Sequence, residues 1–407
     1  MTCRALLDDP ALQAVLRALP EARIVGGAVR DCLAGEAGGK IAGEAGGKIA
    51  GMGVHDIDLA TPRLPADVIT ALRAAGLKAV PTGLAHGTVT AVVDHRGFEI
   101  TTLRRDIATD GRHAIVAFTD DWQQDAARRD FTINAMSMSA DGKIFDYFQG
   151  IEDLHAGCLR FVGDSAARIA EDYLRILRFF RFWARHATQP PDAATAAALQ
   201  AGIPGIAQLS PERVWGELRR ILATPDPGPA IILMYQLGVL AALLPEGAAP
   251  ARLVALLGTD APADAMLRLA ALLTGDAAQL ATRLRLANAE QAKLIALRSP
   301  PAPHPGDDDA ALRRLLADTP PKILRGRTWL AGDATPAWAQ LRHRLGTIPR
   351  PYFPLAGRDA LALGLPPGPA IGALLRQVRA WWYLGGCIAN ADACRAELRR
   401  LGQHAPG

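Results

Sequence analysis

The chain has 407 residues, half of them hydrophobic, with 45 Lys and Arg against 41 Asp and Glu. That length exceeds a single hydrophobic core and implies two to four domains, while no run of about 18 apolar residues predicts a transmembrane helix. Residues 1–150 carry 16 basic and 19 acidic side chains and residues 151–407 carry 29 and 22, so the later part permits a nucleic-acid partner.

The N-terminus, MTCRALLDDPALQ, lacks a basic start and an apolar core, so no export signal is expected. Cys3, Cys32, Cys158, Cys387 and Cys394 form no CxxC pair and are odd in number. This predicts reduced thiols, a cytosolic setting and no structural zinc. Only six of the 45 cations are lysine. Arginine's planar fork suits phosphates and base edges, although a GC-rich genome favours its codons too.

Short apolar runs alternate with helix-like segments through residue 150: RIVGG, AVRDCLAG, DIDLAT, PADVITALRAAG, GTVTAVV and GFEITTLR. The pattern predicts a mixed α/β domain. At Val25–Asp31 an apolar strand ends in two glycines and a helix begins at once. Bare N–H groups and the positive helix end then face whatever lies above the strand, with Arg30 in the first turn. Common strand–helix turns share this pattern.

Next comes the octamer GEAGGKIA, repeated at Gly35–Ala42 and Gly43–Ala50. A phosphate loop needs G-x-x-x-x-G-K-[ST]. Six residues before Lys40 and Lys48 stand Ala34 and Ala42, and isoleucine follows each lysine, so the repeat is not one. Beyond it, Asp56 and Asp58 flank one apolar residue on a predicted strand, which turns both carboxylates to the same face. Such a pair suits Mg²⁺, though a plain polar strand end would look alike.

In Arg128-Arg129-Asp130-Phe131-Thr132-Ile133-Asn134 the charges sit among apolar residues and must pair internally or face a ligand phosphate. Glu171–Arg181, EDYLRILRFFR, predicts one continuous helix. Asp172, Arg175 and Arg178 step by three along one polar stripe, Arg181 lies at its edge, and the apolar residues between them bury the other sides. From about Gly150 onward alanine- and leucine-rich helices take over. Ser210-Pro211 predicts a capped helix start, and SPPAPHPGDDD (Ser299–Asp309) predicts a linker or exposed loop.

Seven motifs in order, VGGAVRD, HDIDLAT, HGTVTAVV, FEITTLRRDIATDGRHA, RRDFTINAM, FDYFQGIEDL and EDYLRILRFFRF, resemble the class II CCA-adding tRNA nucleotidyltransferases. These and the bacterial poly(A) polymerases belong to the polymerase-β-like superfamily. The resemblance runs from Ile24 to about Arg185, continues through SPERVWGELRRIL, and is weak past about residue 230. It implies an α+β protein: a nucleotidyltransferase head with a mixed sheet (1–147), then an all-α neck (148–225), body (226–330) and tail (331–407). The implied partners are tRNA, CTP and ATP, with no membrane and no protein partner evident, in the cytoplasm.

By resemblance, Asp56 and Asp58 hold two Mg²⁺ ions, with Glu99 a candidate third carboxylate. Gly27 and Arg30 bind the triphosphate, Arg129 contacts the nucleotide, and Arg128 and Asp130 support it. Asp172 and Arg175 read the base. Cytosine and adenine both offer an amino donor beside a ring-nitrogen acceptor, so one acid beside one guanidinium accepts them and rejects G and U, at about 1–3 kcal/mol per correct pair. Arg178 and Arg181 add phosphate or base contacts. Asp106, Asp110 and Arg112 match a segment linked to the switch from C to A. Poly(A) polymerases and enzymes adding only A or only C share these motifs, and a catalytically dead RNA-binding protein is the reading from another class. His155, His186, His304, His343 and His404 are isolated, so no appended phosphatase domain is expected.

Removing the sixteen residues Glu36–Gly51 restores the family's spacing before Asp56, which makes the repeat an insertion. Six of the sixteen are glycine and the lysines and glutamates cancel. Lengthening a loop to twenty residues costs on the order of 1–2 kcal/mol. Excising Glu36–Gly51 therefore keeps nucleotide addition and raises Tm slightly; loss of activity in a folded variant would mean that the loop touches substrate.

Overall fold

The computed structural model describes residues 2–36, 57–109 and 114–403, so Asp56, Asp110, Arg112 and most of the repeat lie outside the described residues. The chain divides into two units, Met1–Pro245 and Glu246–Gly407.

The first unit starts with helices α1 (Cys3–Leu7) and α2 (Pro10–Ala18), capped by Thr2 and Asp9, whose side chains accept backbone N–H groups one turn on. Strand β1 (Arg23–Val25) leads into α3 (Gly27–Glu36), and β2 (Asp58–Thr61) into α4 (Pro65–Ala74). There follow β3 (Lys78–Gly83), β4 (Thr88–Val93) and β5 (Arg96–Thr102), then a separate hairpin of β6 (Arg104–Thr109) and β7 (Ala114–Phe118). After α5 (Trp122–Ala127), the two-residue strands β8 (Ser137–Met138) and β9 (Ile144–Phe145) complete a seven-stranded sheet in the order β3-β4-β5-β2-β1-β8-β9. Only β2 and β5 run parallel within it. The expected mixed sheet is present.

Period-2 alternation gives the sheet two unlike faces. Val89, Ala91, Phe98 and Ile100 are buried. The intervening Thr88, Thr90, Glu99 and Thr101 remain at least partly accessible. Register places Asp58 beside Glu99, and Glu99 opposite Thr90, so one row on this face runs from β2 to β4.

Helices then take over: α6 (Gly150–Ala156), α7 (Ser165–Glu171), α8 (Leu174–His186), α9 (Ala193–Ala201), α10 (Pro211–Leu222), α11 (Gly228–Gln236) and α12 (Val239–Leu243). The single helix expected over Glu171–Arg181 is in fact two. Asp172 is extended, at φ −156° and ψ 106°, and its Oδ1 accepts from Leu174 N at 3.0 Å. A short acceptor side chain that can bond the free N–H groups of a new helix favours restarting over continuing. Ser210 does precede α10, with Pro211 at the first position, but its side chain makes no capping bond.

Head and helices meet on phenylalanine. Phe131 lies 4.9 Å from Phe161, 6.1 Å from Phe179 and 5.3 Å from Phe182, ring centre to ring centre. Phe179 in turn packs at 5.8 Å on Phe161 and 5.5 Å on Phe180.

The second unit is helical throughout its described residues: α13 (Pro250–Leu257), α14 (Ala265–Leu272), α15 (Ala277–Arg283), α16 (Asn288–Arg298), α17 (Asp309–Asp318), α18 (Pro321–Ala331), α19 (Pro336–Thr347), α20 (Gly357–Ala362), α21 (Pro369–Leu384) and α22 (Ala391–Gly402). The proline-rich stretch lies between α16 and α17, where a linker was expected. Leu312, Leu316, Leu324, Leu341 and Leu345 form one buried cluster, and a second gathers around Trp382, Val378 and Leu398.

The expectation of five reduced cysteines is corrected. Cys3 and Cys32 are joined by a disulfide, their Cα atoms 4.8 Å apart. Packing of α1 against α3 makes this pair, and 29 residues of separation conceal it from a reading of spacing. Cys158, Cys387 and Cys394 are free.

Phe179 is fully buried at the centre of the aromatic cluster. Phe179→Ala is expected to cost about 3–5 kcal/mol of stability, read from urea unfolding; a loss below about 1 kcal/mol would mean that the cluster does not hold the first unit together.

Candidate active site

The site begins where β1 turns into α3. Gly26 has φ +68°, and a Cβ there would also lie 3.3 Å from Arg129 Nη1. Only glycine fits this turn without strain. Gly27 then opens α3, and the register of β1 and β2 sets Val25 beside Asp58, so the helix start and the exposed carboxylate are neighbours. Glu99 follows on the next strand in register with Asp58. Among the described residues no three of His, Cys, Asp and Glu converge on one point. Of Asp106, only its backbone in β6 is described.

Arg30, one turn into α3, is buried; its Nη1 donates to Asn134 Oδ1 at 2.6 Å and its Nε to Asp31 Oδ1 at 2.8 Å. Asn134 turns its other end to Asp130, donating from Nδ2 to Oδ1 at 3.1 Å. Asp130 Oδ2 accepts from Arg178 Nε at 2.8 Å and also from Nη2. One hydrogen-bonded path therefore runs from α3 through the Arg128–Asn134 segment to α8. Burial opposes the Asp130 charge, but Arg178 and the bonds from Asn134 and Phe131 N outweigh it and hold its pKa below the usual range.

Arg128 and Arg129 share Asp125, a buried acid on α5: Arg128 Nε donates to it at 2.9 Å and Arg129 Nη2 at 3.2 Å. Burial lowers the Arg129 pKa, and Asp125 opposes that shift.

On the helical side, Asp172 Oδ2 accepts from Arg213 Nη2 at 2.7 Å, while Arg175 is held by Glu171 and by Arg168 O at 2.7 Å. Asp172 and Arg175 are both in the wall of the cleft, but each has a different ionic partner. Arg181 Nε lies 2.7 Å from Oε2 of the buried Glu217, which also takes Arg220 Nη1 at 3.0 Å. Burial lowers the Arg181 pKa to about 10 against the pull of Glu217, with Arg178 and Arg220 adding to the shift. The Phe182 ring carries three guanidinium groups, those of Arg30, Arg178 and Arg181, at 5.2, 5.7 and 4.3 Å. His186 is held neutral, its pKa pushed down to about 2 by burial and then by Arg30, Arg185 and Arg181.

These groups line a cleft of about 690 Å³ whose wall holds nine arginines and three aspartates, Asp58, Asp130 and Asp172. It brings together Gly27, Arg30, Asp58, Arg128, Arg129, Asp130, Asp172, Arg175, Arg178 and Arg181, and leaves Glu99 outside its wall. A cavity with that excess of rigid forked donors fits a polyphosphate. Asp125, Glu171, Arg213 and Glu217 were not singled out from sequence. The i,i+4 spacing of Glu171 with Arg175 was a usable signal. The pairings of Asp172 with Arg213 and of Arg181 with Glu217 cross between helices and leave no such mark.

The family described as Poly A polymerase head domain matches residues 22–160, and that described as probable RNA and SrmB-binding site of polymerase A matches residues 191–249. The chain is 35% identical over 398 residues to the mitochondrial CCA tRNA nucleotidyltransferase 1 of Homo sapiens, covering 93% of this chain and 87% of that one. Against the Danio rerio protein of that name identity is 44% over 222 residues, which is 54% of this chain and 48% of the relative. The structure of the Bacillus stearothermophilus CCA-adding enzyme in complex with CTP superposes with a TM-score of 0.73 at 25% identity, covering 97% and 98% of the two chains. The Thermotoga maritima CCA-adding enzyme complexed with tRNA shares the fold, with a TM-score of 0.66 at 19% identity over 98% and 99%. Likeness that spans nearly the whole sequence, and falls on the head that carries this cleft, makes the chain a member of the CCA tRNA nucleotidyltransferase family.

Proposed function

We propose that this enzyme adds C, C and A to the 3′ end of tRNA from CTP and ATP, releasing pyrophosphate, without a nucleic-acid template. The observation that carries the reading is the convergence of a glycine-turned helix start, an exposed aspartate and a fixed guanidinium array on one cleft. The proposed organisation is a catalytic head (1–147) followed by neck, body and tail. A cytoplasmic setting belongs to this proposal through the family resemblance and not through the cysteines, two of which are paired.

Asp58 is an exposed carboxylate at the rim of a phosphate-suited cleft, Asp56 is its i−2 neighbour in sequence and Glu99 its neighbour in register. This hard-oxygen set fits Mg²⁺. Asp56 and Asp58, supported by Glu99, would hold two Mg²⁺ ions, which when bound neutralise phosphate charge and activate a hydroxyl. The N–H groups at Gly27 and the Arg30 guanidinium would receive the triphosphate. Arg129 contacts the nucleotide, and Arg128 and Asp130 fix the groups beside it. Asp172 and Arg175 present an acceptor and a donor to the base edge, Glu171 and Arg213 limit their rotation, and Arg178 and Arg181 add positive charge near the bound nucleotide. Asp106 and Arg112 are proposed to support the change from C to A.

Mixing the protein with tRNA lacking its 3′ end and each labelled nucleotide tests the activity directly. Asp58→Ala is expected to abolish transfer while tRNA binding stays within about twofold, because RNA affinity rests on phosphate contacts elsewhere; parallel loss of both in a folded variant would remove Asp58 from the metal role. Replacing Asp172 or Arg175 with Ala should let UTP or GTP enter at a rate approaching that of CTP, since each satisfied pair is worth about 1–3 kcal/mol. Variants that are slower yet still reject U and G would show the two residues to be structural.

A further inference from the structure

The second unit contains a cavity of about 310 Å³ with Arg252, Arg298 and Arg327 in its wall and no carboxylate among the lining residues. Arg298 ends α16 and spends its Nη groups on backbone oxygens at the end of α14: Ala270 at 3.0 Å, Thr274 at 3.1 Å, Gly275 at 3.0 Å, and Leu273. Arg327, on α18, is buried, and donates from Nε to Ala296 O at 2.8 Å and from Nη1 to Pro301 O at 2.9 Å. Those bonds fix its plane and leave Nη2 with no protein acceptor among the described residues. Arg252, on α13, is exposed and has one long bond, Nη1 to Leu273 O at 3.4 Å.

Holding carbonyls accounts for part of this arrangement but not for all of it. Backbone oxygens carry only partial charge, and among the described residues no carboxylate stands in the cavity wall beside the three full positive charges. Burial, and then Arg252, lower the pKa of Arg298. Asp276 opposes that shift, but its Oδ1 caps α15 by accepting from Ala278 N and Gln279 N, and it is not in the cavity wall. An oxyanion here would take the spare donors of Arg327 and Arg252 in a charge-assisted, forked arrangement.

We propose that this cavity is a phosphate-binding site, separate from the nucleotide cleft, formed by Arg252, Arg298 and Arg327. The anion is a phosphodiester of the RNA backbone or free inorganic phosphate, and the two sources differ in what Arg252 does for RNA affinity. The RNA arm rests on the tRNA reading given above; the inorganic phosphate arm does not.

Arg252 is exposed and makes a single weak bond, so Arg252→Ala keeps the fold; Arg327→Lys, which retains the charge but loses the fork, is the second variant. Two readouts are needed: the rise in Tm produced by inorganic phosphate, and the affinity for tRNA lacking its 3′ end across a salt series. Seating of an RNA phosphodiester predicts that Arg252→Ala loses part of the phosphate-induced rise. It also predicts several-fold weaker tRNA binding at low salt, with a slope of log K against log salt smaller by about one. Loss of the phosphate response in both variants with tRNA affinity unchanged would support the site with free phosphate as its ligand. If both variants match the parent protein in both readouts, the site does not exist. If the parent protein binds no tRNA but Arg252→Ala still loses the phosphate response, the tRNA reading fails and this one stands.

Discussion

The architecture turns on one buried hydrogen-bonded path, Arg30 to Asn134 to Asp130 to Arg178. Its members come from α3, from the segment after α5, and from α8, elements far apart in the chain. Each link is charge-assisted or fully satisfied at both ends, which is the condition under which burying such groups is tolerable. The orientation of Asn134 leaves no freedom: its oxygen meets a guanidinium and its amide nitrogen meets a carboxylate. Beneath this polar path lies the phenylalanine cluster, so the same helix, α8, packs on the head with one face and bonds to it with another.

Gathering nine arginines around one cleft creates a problem of like charge. Their partners are distributed so that positions are held without the charge being fully neutralised. Asp125 serves two of them, Glu217 holds Arg181 and also Arg220 from outside the cleft wall, and the Phe182 ring faces three. Breaking any such pair leaves a buried charge uncompensated, which costs more than the pair contributes. Donors held by such pairs need little further ordering to meet an anion. His186 is neutral first because it is buried and then because of Arg30, Arg185 and Arg181.

The break between α7 and α8 also serves to place a charged side chain. A continuous helix would carry Asp172 around on a fixed pitch with Arg175. Instead the extended residue turns Asp172 towards Arg213 on α10, which ties two helices together in the wall of the cleft.

Much of this was legible in the order of residues. Apolar runs of period two, the glycine pair after β1 and the proline before α10 are local features, and local chain geometry decides them. The charged residues of RRDFTIN and of the α8 stripe were legible as groups needing partners, because isolated charges among apolar neighbours cannot be buried alone. Which partners they take was not legible. Arg178 chooses Asp130 across 48 residues, Asp172 chooses Arg213 across 41, and Cys3 meets Cys32 across 29. Those choices depend on helix packing angles and sheet register, and the energy that sets them is shared among many side chains. The sequence by itself determined most of the elements and the residue types that gather at the cleft; only the tertiary structure decided where α7 gives way to α8 and which guanidinium faces which acid, because pairing is a property of distance in space and the chain encodes distance only locally.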